Sequence, residues 1–198
     1  MTSPRPEDVL HFWLGAPGDP PLRNADRWFT NDAVFDGECA ARFGNAIDAA
    51  VRGELAEWRK TPRGRLALVL LLDQLSRNVH RNTSRAFAQD ALARDVALEA
   101  MAAGDERVLS PIERSFLYMP LMHAEDVGLQ HRCVAAFGRL AAEAPPELRD
   151  YMQNALRFAK RHEEVVERFG RFPHRNQILG RPSTREEERF LQQPNSSF

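Results

Sequence analysis

The sequence has few cysteines, almost no net charge and no long apolar run, and each shortage excludes a class of protein. Its 198 residues include two cysteines, and 28 acidic residues nearly balance 27 basic ones. Cys39 and Cys133 lie among apolar residues and are predicted to be buried thiols without a disulfide. A net charge of −1 provides no general attraction to nucleic acid or to an anionic membrane, so any anion site must be local.

The chain also lacks the usual signals of membrane insertion, export and nucleotide chemistry. Its longest strongly apolar stretch, Leu66–Leu72, is too short to span a bilayer. No basic region followed by a long apolar run is found near the N-terminus, so no signal peptide is predicted and a cytoplasmic location is expected. The Walker A, Rossmann, HExxH and GxSxG motifs are absent, as is CxxC. We therefore assign no cofactor and no metal. Metal ligands could still come from a set of five residues if the fold brings them together: His123, Glu125, His162, His174 and Asp73.

The apolar residues recur at intervals of three and four, which predicts an all-helical protein. We expect a single helical domain over residues 1–198, in which short turns join antiparallel helices. Ser183 and Glu186 are predicted to form a capping box before a last short helix. The main predicted helices are 6–14, 32–58, 65–81, 126–143 and 147–169, followed by an irregular arginine-rich strap at 170–182 and a loose tail at 194–198.

A first group of polar residues lies on the predicted helix 65–81. The first half of this helix is apolar all round, which indicates that it is buried. The polar positions are Asp73, Gln74, Arg77, Asn78 and Arg81. A buried charge without a partner costs about 3–5 kcal/mol, so these groups must be satisfied. They form either an internal salt-bridge network or a set of donors for an anionic ligand, with Asp73 holding Arg77 in place.

A second group lies where Pro120 interrupts a predicted helix. Proline lacks the N–H group and clashes with the preceding turn, so the helix should kink or end there. His123 and Glu125 follow directly. This spacing does not place both side chains on one face of a regular helix, but a distorted helix end can bring them together. They are either a helix-junction cap with a hydrogen-bonded histidine, or a general base and the carboxylate that orients it.

A third group lies in the C-terminal third of the chain. His162 lies within the apolar stripe of the predicted helix 147–169 and is either a core histidine or part of a site. The strap at 170–182 alternates polar and apolar residues, which indicates a loop anchored by its apolar residues and displaying cationic ones. An irregular segment of this length is often functional. The polar candidates in the strap are Arg171, His174, Arg175, Asn176 and Arg181.

Three long motifs resemble a widespread bacterial family defined as a domain of unknown function (number 924). They are LLLDQLSRNVHRNTSRAFAQDALA, SFLYMPLMHAED and ERFGRFPHRNQILGRPSTREEERFL. The early HFWLG and RWFTNDAVFD also fit the family, so the resemblance covers nearly the whole chain. Leu75-Ser76 departs from the Phe-Pro that the family often has there. The resemblance implies a fold similar to tetratricopeptide repeats, with antiparallel helix pairs stacked in a right-handed superhelix, and it leaves the function open.

We expect a ligand-binding domain in which the three groups line one polar pocket on the concave side of the superhelix. The expected ligand is a small anion or the acidic end of a peptide. The candidate ligand-binding residues are Asp73, Gln74, Arg77, Asn78, Arg81, Gln130, His162, Arg171, His174, Arg175, Asn176 and Arg181.

Three alternatives remain for the same residues. The first is a hydrolase in which His123 is the general base, Glu125 orients it and the arginines stabilise negative charge. The second is a protein–protein adaptor, and the third is a purely structural polar network. No nucleic acid or membrane partner is expected, and the sequence does not fix the oligomeric state.

Overall fold

The computed structural model describes residues 4–194 and 196–197, and it contains no β-strand within those residues. The prediction of an all-helical fold is therefore confirmed. The α-helices are α1 (Pro6–Leu14), α2 (Ala25–Trp28), α3 (Ala33–Val51), α4 (Pro62–Val69), α5 (Ser76–Val79), α6 (Asp90–Ala103), α7 (Pro111–Met122), α8 (Val127–Glu143), α9 (Arg149–Phe169) and α10 (Arg185–Leu191).

The chain divides into two compact units, which are described separately. The first unit runs to Arg81 and includes Arg85–Pro120. The second unit comprises Asn82–Ser84 and the chain from Leu121 onward.

Aromatic side chains and one buried ion pair hold the first unit together. The Phe116 ring is fully buried and lies edge-on to Trp28, with the ring centroids 4.8 Å apart. Arg65 donates two hydrogen bonds of 2.7 Å to the carboxylate of Asp105, 40 residues away in the chain. Both charged side chains are buried and paired bidentately, which satisfies the requirement for charges inside a protein.

The helix predicted at 65–81, which carries the first group of polar residues and is called the polar helix below, is interrupted by a π-helical segment. The chain is α-helical over α4, π-helical over Leu70–Leu75 and α-helical again over α5. Such segments are often found at functional sites. Asp73 and Gln74 lie within it and are both buried, so this departure from α-helical geometry coincides with the point at which the buried helix becomes polar.

The predicted helix 32–58 is shorter in the structure. α3 ends at Val51, and Gly53 adopts a φ of +77°. Left-handed glycine is a common way to end an α-helix, because it allows the chain to turn while the last carbonyls remain bonded. Leu55 and Trp58, the last apolar positions of the predicted helix, lie beyond this turn. Leu55 precedes a short 3-10 helix at Ala56–Lys60, and Trp58 lies within it.

In the second unit, α8 and α9 form an antiparallel hairpin. His131 near the start of α8 lies 2.8 Å from Glu167 near the end of α9. The strap, residues 170–182, contains a short 3-10 helix at Pro173–Arg175. Asn195 and Phe198 of the predicted loose tail lie outside the described residues. Within that tail, Ser196 donates a 3.0 Å hydrogen bond to the carbonyl of Leu191.

Both cysteines are buried, as predicted. Burial raises the pKa of the Cys39 thiol to about 12, and it also raises the pKa of Cys133. Both side chains are therefore held in the uncharged thiol form at neutral pH.

Among the helices that the structure describes, none combines the length and the apolar character needed to cross a membrane.

We predict that Phe116→Ala lowers the free energy of unfolding by about 3–5 kcal/mol, because it leaves a cavity beside Trp13 and Trp28, whose rings both lie edge-on to Phe116. Chemical denaturation measures this change. Val34→Ala is the matched control, since Val34 is 83% exposed, and it should alter the unfolding free energy by no more than about 0.5 kcal/mol. Equal losses in the two variants would contradict the proposed aromatic core.

Candidate functional site

In the first unit, the arginines of the polar helix form ion pairs with carboxylates on α3 and α6. Arg77 binds Asp90 through both terminal nitrogens, at 3.0 and 3.3 Å, and lies 3.4 Å from Asp73. Gln74 donates to Asp73 at 2.6 Å. The arrangement matches the expected pairing of Asp73 with Arg77, and it adds Asp90 as a second carboxylate.

Asp36 on α3 completes this polar face. One of its carboxylate oxygens accepts hydrogen bonds of 2.8 Å from both Asn78 and Arg81. The hydrogen bonds from Arg81 are the main cause of the lowered pKa of Asp36. These contacts join α3 to the end of the polar helix, so Asn78 and Arg81 have a structural role whether or not a ligand binds nearby.

In the second unit, the connection after α7 is fixed by Gln130. α7 continues for two residues beyond Pro120 and ends at Met122. The Gln130 side-chain amide donates hydrogen bonds of 2.7 Å to the carbonyls of both Met122 and Ala124. Gln130 is itself fully buried. It therefore sets the backbone from which His123 and Glu125 project.

Glu125 binds the strap. Its carboxylate accepts a 2.8 Å hydrogen bond from the backbone N–H of Phe172 and two hydrogen bonds, of 2.6 and 2.9 Å, from Arg181. Burial raises the pKa of Glu125, but these hydrogen bonds and the charges of Arg181 and Arg175 together outweigh burial and leave the pKa below its ordinary value. The described contacts of both carboxylate oxygens thus fix the strap, which differs from the predicted role of orienting His123.

A second carboxylate, Glu187, holds the other end of the strap. Arg171 donates to both of its oxygens, at 2.6 and 2.8 Å, and the backbone N–H of Thr184 donates at 2.7 Å. Hydrogen bonds from Arg171 are the main reason that the pKa of Glu187 falls to about 2. Asn176, another candidate, donates to the hydroxyl of Ser183 at 3.0 Å.

The capping box before α10 is shifted by one residue from the prediction. Thr184, and not Ser183, caps the helix, and its partner is Glu187 in place of Glu186. The reason is that Ser183 accepts a hydrogen bond from Asn176, while Arg171 binds Glu187 on the buried side.

His162, His174 and Arg175 surround the Phe172 ring, and His123 lies beside His162. We call His123, His162, His174 and Arg175 the basic cluster. The rings of His162 and His174 lie 5.5 and 5.7 Å from that of Phe172, and the guanidinium of Arg175 lies 4.5 Å from its centre. The ring of His123 is 6.2 Å from that of His162. The second and third polar groups of the sequence therefore meet within the second unit.

The surroundings of His162 define its proton state. Burial is the main cause of its lowered pKa, about 3, and the nearby charges of His123, Arg175 and His174 lower it further. The ring is therefore neutral at pH 7. Its Nδ1 lies 2.8 Å from the carbonyl of Phe158, and a carbonyl oxygen only accepts, so Nδ1 carries the proton. The lone pair is then on Nε2.

Arg175 is 6% exposed and donates a 3.1 Å hydrogen bond to the carbonyl of His123. His123 and His174 are both partly exposed. The basic cluster thus combines a buried guanidinium and a buried neutral imidazole with two histidines that reach the solvent. Chemically, the guanidinium can bind a negatively charged group of a small molecule, and the Nε2 of His162 can accept a hydrogen bond.

Comparisons with other proteins place the chain in a family. Residues 9–195 match the family described as bacterial protein of unknown function, DUF924. The chain belongs to the DUF924 family. Its fold is similar to the solved structure of a protein of unknown function from Agrobacterium tumefaciens, with 40% sequence identity and a TM-score of 0.81. The alignment covers 94% of this chain and 96% of the other. No curated protein sequence gives a significant match.

Membership in the DUF924 family confirms the resemblance in the three motifs. Two of those motifs contain His123, His174 and Arg175 of the basic cluster and the carboxylates that hold the strap, whereas His162 lies just before the last motif. The third contains the polar helix of the first unit. Whether all three line one pocket stays a prediction.

We predict that Arg81→Met destabilises the protein by about 1–3 kcal/mol. The substitution removes the charged partner of the largely buried Asp36 carboxylate and leaves it the neutral Asn78. Denaturant titration measures the loss. Arg85→Met removes the exposed ion pair with Asp48 and should cost less than about 1 kcal/mol. A cost for Arg81→Met no larger than that of the control would contradict the structural role of Asp36.

Glu187 predicts a specific dependence of stability on pH. Its folded-state pKa is about 2, against an ordinary value of 4.5. The stability it contributes is therefore complete above pH 4.5 and is lost as the pH falls from 4.5 towards 2. Glu187→Gln should be less stable at pH 7 and should lose less of its unfolding free energy between pH 5 and 3 than the native protein.

Glu188→Gln, an exposed neighbour, is the control for this measurement. It should keep the pH dependence of the native protein in denaturant titrations at several pH values. If Glu187→Gln also kept that dependence, the pairing of Glu187 with Arg171 would be contradicted.

Proposed function

We propose that this DUF924 protein binds a small anionic ligand at the basic cluster of the second unit. One observation carries the proposal: two histidines and an arginine contact the Phe172 ring, and a third histidine, His123, lies beside His162. Phosphate and carboxylate groups are the ligands that arginine and histidine donors recognise best. The sequence analysis expected a small anion or the acidic end of a peptide, and both present this chemistry.

The contacts of the strap support a preformed site. Arg181 and Arg171 bind carboxylates of the protein bidentately, so these two arginines position the strap and are not the primary ligand donors. A site whose side chains are already held loses less conformational entropy when the ligand binds. We assign positioning of the strap to these two arginines. We propose that Arg175 and His174, which contact the Phe172 ring, and the partly exposed His123 contact the ligand.

The same contacts favour binding over hydrolysis. The hydrolase alternative named Glu125 as the carboxylate that orients His123, but the described hydrogen bonds of Glu125 go to Phe172 and Arg181. We also propose, from the family resemblance, that the helix pairs stack as in tetratricopeptide repeats, where the concave face commonly binds the partner. The α8–α9 hairpin has the antiparallel pairing that such a stack requires.

Isothermal titration with inorganic phosphate, citrate and a short peptide ending in glutamate tests the proposal. We expect saturable binding of at least one probe, weakened at least tenfold by Arg175→Met, since loss of one charge-assisted contact costs about 1.5–3 kcal/mol. His174→Ala, at a partly exposed position, should also weaken binding without unfolding the protein. Whichever probe binds best identifies the ligand as a phosphate, a free carboxylate or a peptide end.

Arg157→Met is the matched control for these titrations. Arg157 is an exposed arginine on α9 and binds Asn154. The control should keep native affinity. Absence of saturable binding for all three probes, or equal weakening by Arg157→Met, would overturn the proposal.

A further inference from the structure

A second set of metal-ligating side chains lies on the surface of the α8–α9 hairpin. His131 projects from the second turn of α8, and Glu163 and Glu167 project one turn apart from the end of α9. Glu163 is partly exposed, and the other two residues are exposed. None of the three was a candidate in the sequence analysis, which assigned no metal.

The donor atoms of these three residues converge. The histidine nitrogen and one oxygen from each carboxylate lie within 4.8 Å of one another. The Nε2 of His131 is 2.8 Å from an oxygen of Glu167. A tetrahedral ion with bonds of about 2.0–2.2 Å separates its ligand atoms by roughly 3.3–3.6 Å. The backbone of the hairpin therefore already brings the three groups to the spacing that a metal requires, and small side-chain rotations complete it.

The charges at this place also favour a cation. Two glutamates one turn apart on the same helix face repel each other. A divalent ion neutralises both carboxylates at once, whereas His131, which interacts with both Glu163 and Glu167, supplies at most one positive charge. Because the three side chains face the solvent, an ion can reach them without any movement of the helices.

The histidine decides which ion is suitable. Magnesium and calcium prefer sites made only of oxygen, whereas zinc binds imidazole nitrogen together with carboxylate oxygen. Three protein ligands leave the fourth position of a tetrahedral zinc ion to water. We propose that His131, Glu163 and Glu167 form a zinc-class metal site that joins α8 to α9.

This site is independent of the proposed anion site, because the two share no residue. A metal that binds only the folded hairpin stabilises it in proportion to the logarithm of the metal concentration. The metal site would therefore link the stability of the second unit to available zinc.

Calorimetric titration of ZnCl₂ into the tag-free, metal-stripped full chain tests the proposal. We expect one zinc ion per chain and a rise in the melting temperature with zinc. His131→Ala should weaken this binding at least tenfold and abolish the rise. The double variant Glu163→Gln/Glu167→Gln should do the same. All these positions are on the surface, so circular dichroism should show native helix content in each variant.

His11→Ala is the matched control. His11 lies on α1, outside the hairpin, and its imidazole is 3.7 Å from the carboxylate of Glu7 on the same helix. It should leave zinc binding unchanged, and so should Arg175→Met, which separates this proposal from the proposed anion site. The proposal is overturned if zinc does not bind at one equivalent, if His131→Ala binds it as tightly as the native chain, or if magnesium binds equally well.

Discussion

The bidentate pair between Glu125 and Arg181 determines the position of the basic cluster. Glu125 belongs to the turn after α7, and its carboxylate also holds the backbone of Phe172. A bidentate contact fixes both distance and orientation, so Phe172 is held where His162 and Arg175 contact its ring. Glu187 secures the other end of the strap through Arg171. The two carboxylates thus shape the site without being assigned to ligand contact.

Arginines bind carboxylates of the protein in both units. In the first unit, Arg77 and Arg81 bind the carboxylates of Asp90 and Asp36, and the result is a network that ties helices together. In the second unit, Arg171 and Arg181 bind carboxylates in the same way, and Arg175 donates to a backbone carbonyl and lies over an aromatic ring. A count of arginines along the chain cannot separate these roles, because the partners come from distant positions.

The features that the sequence predicted well are local ones. α1 occupies the predicted residues, and α8 is capped by Asp126 and ends at the predicted Glu143, because caps and breaks depend on a few adjacent residues. The end of α3 was misplaced because the apolar stripe continues past Gly53, whose positive φ interrupts the helix. The capping box before α10 shifted because a long-range contact with Arg171 determined which glutamate turned inward.

The parts of the sites that the sequence missed are all long-range. Asp36 and Arg81 are 45 positions apart, and His131 and Glu167 are 36 apart. Helical periodicity states which face a residue occupies, but it does not state which other helix that face meets. The spacing of Glu163 and Glu167 was visible as a pair one turn apart, yet only the antiparallel pairing of α8 with α9 supplied the histidine.

The burial of both native cysteines has a practical consequence for studying the strap. Cys39 and Cys133 are fully buried, and their raised pKa values keep the reactive thiolate form scarce. A cysteine introduced at an exposed strap position such as Gln177 would therefore react with a maleimide dye far faster than either native thiol. Fluorescence from such a label would report the position of the strap without prior removal of the native cysteines.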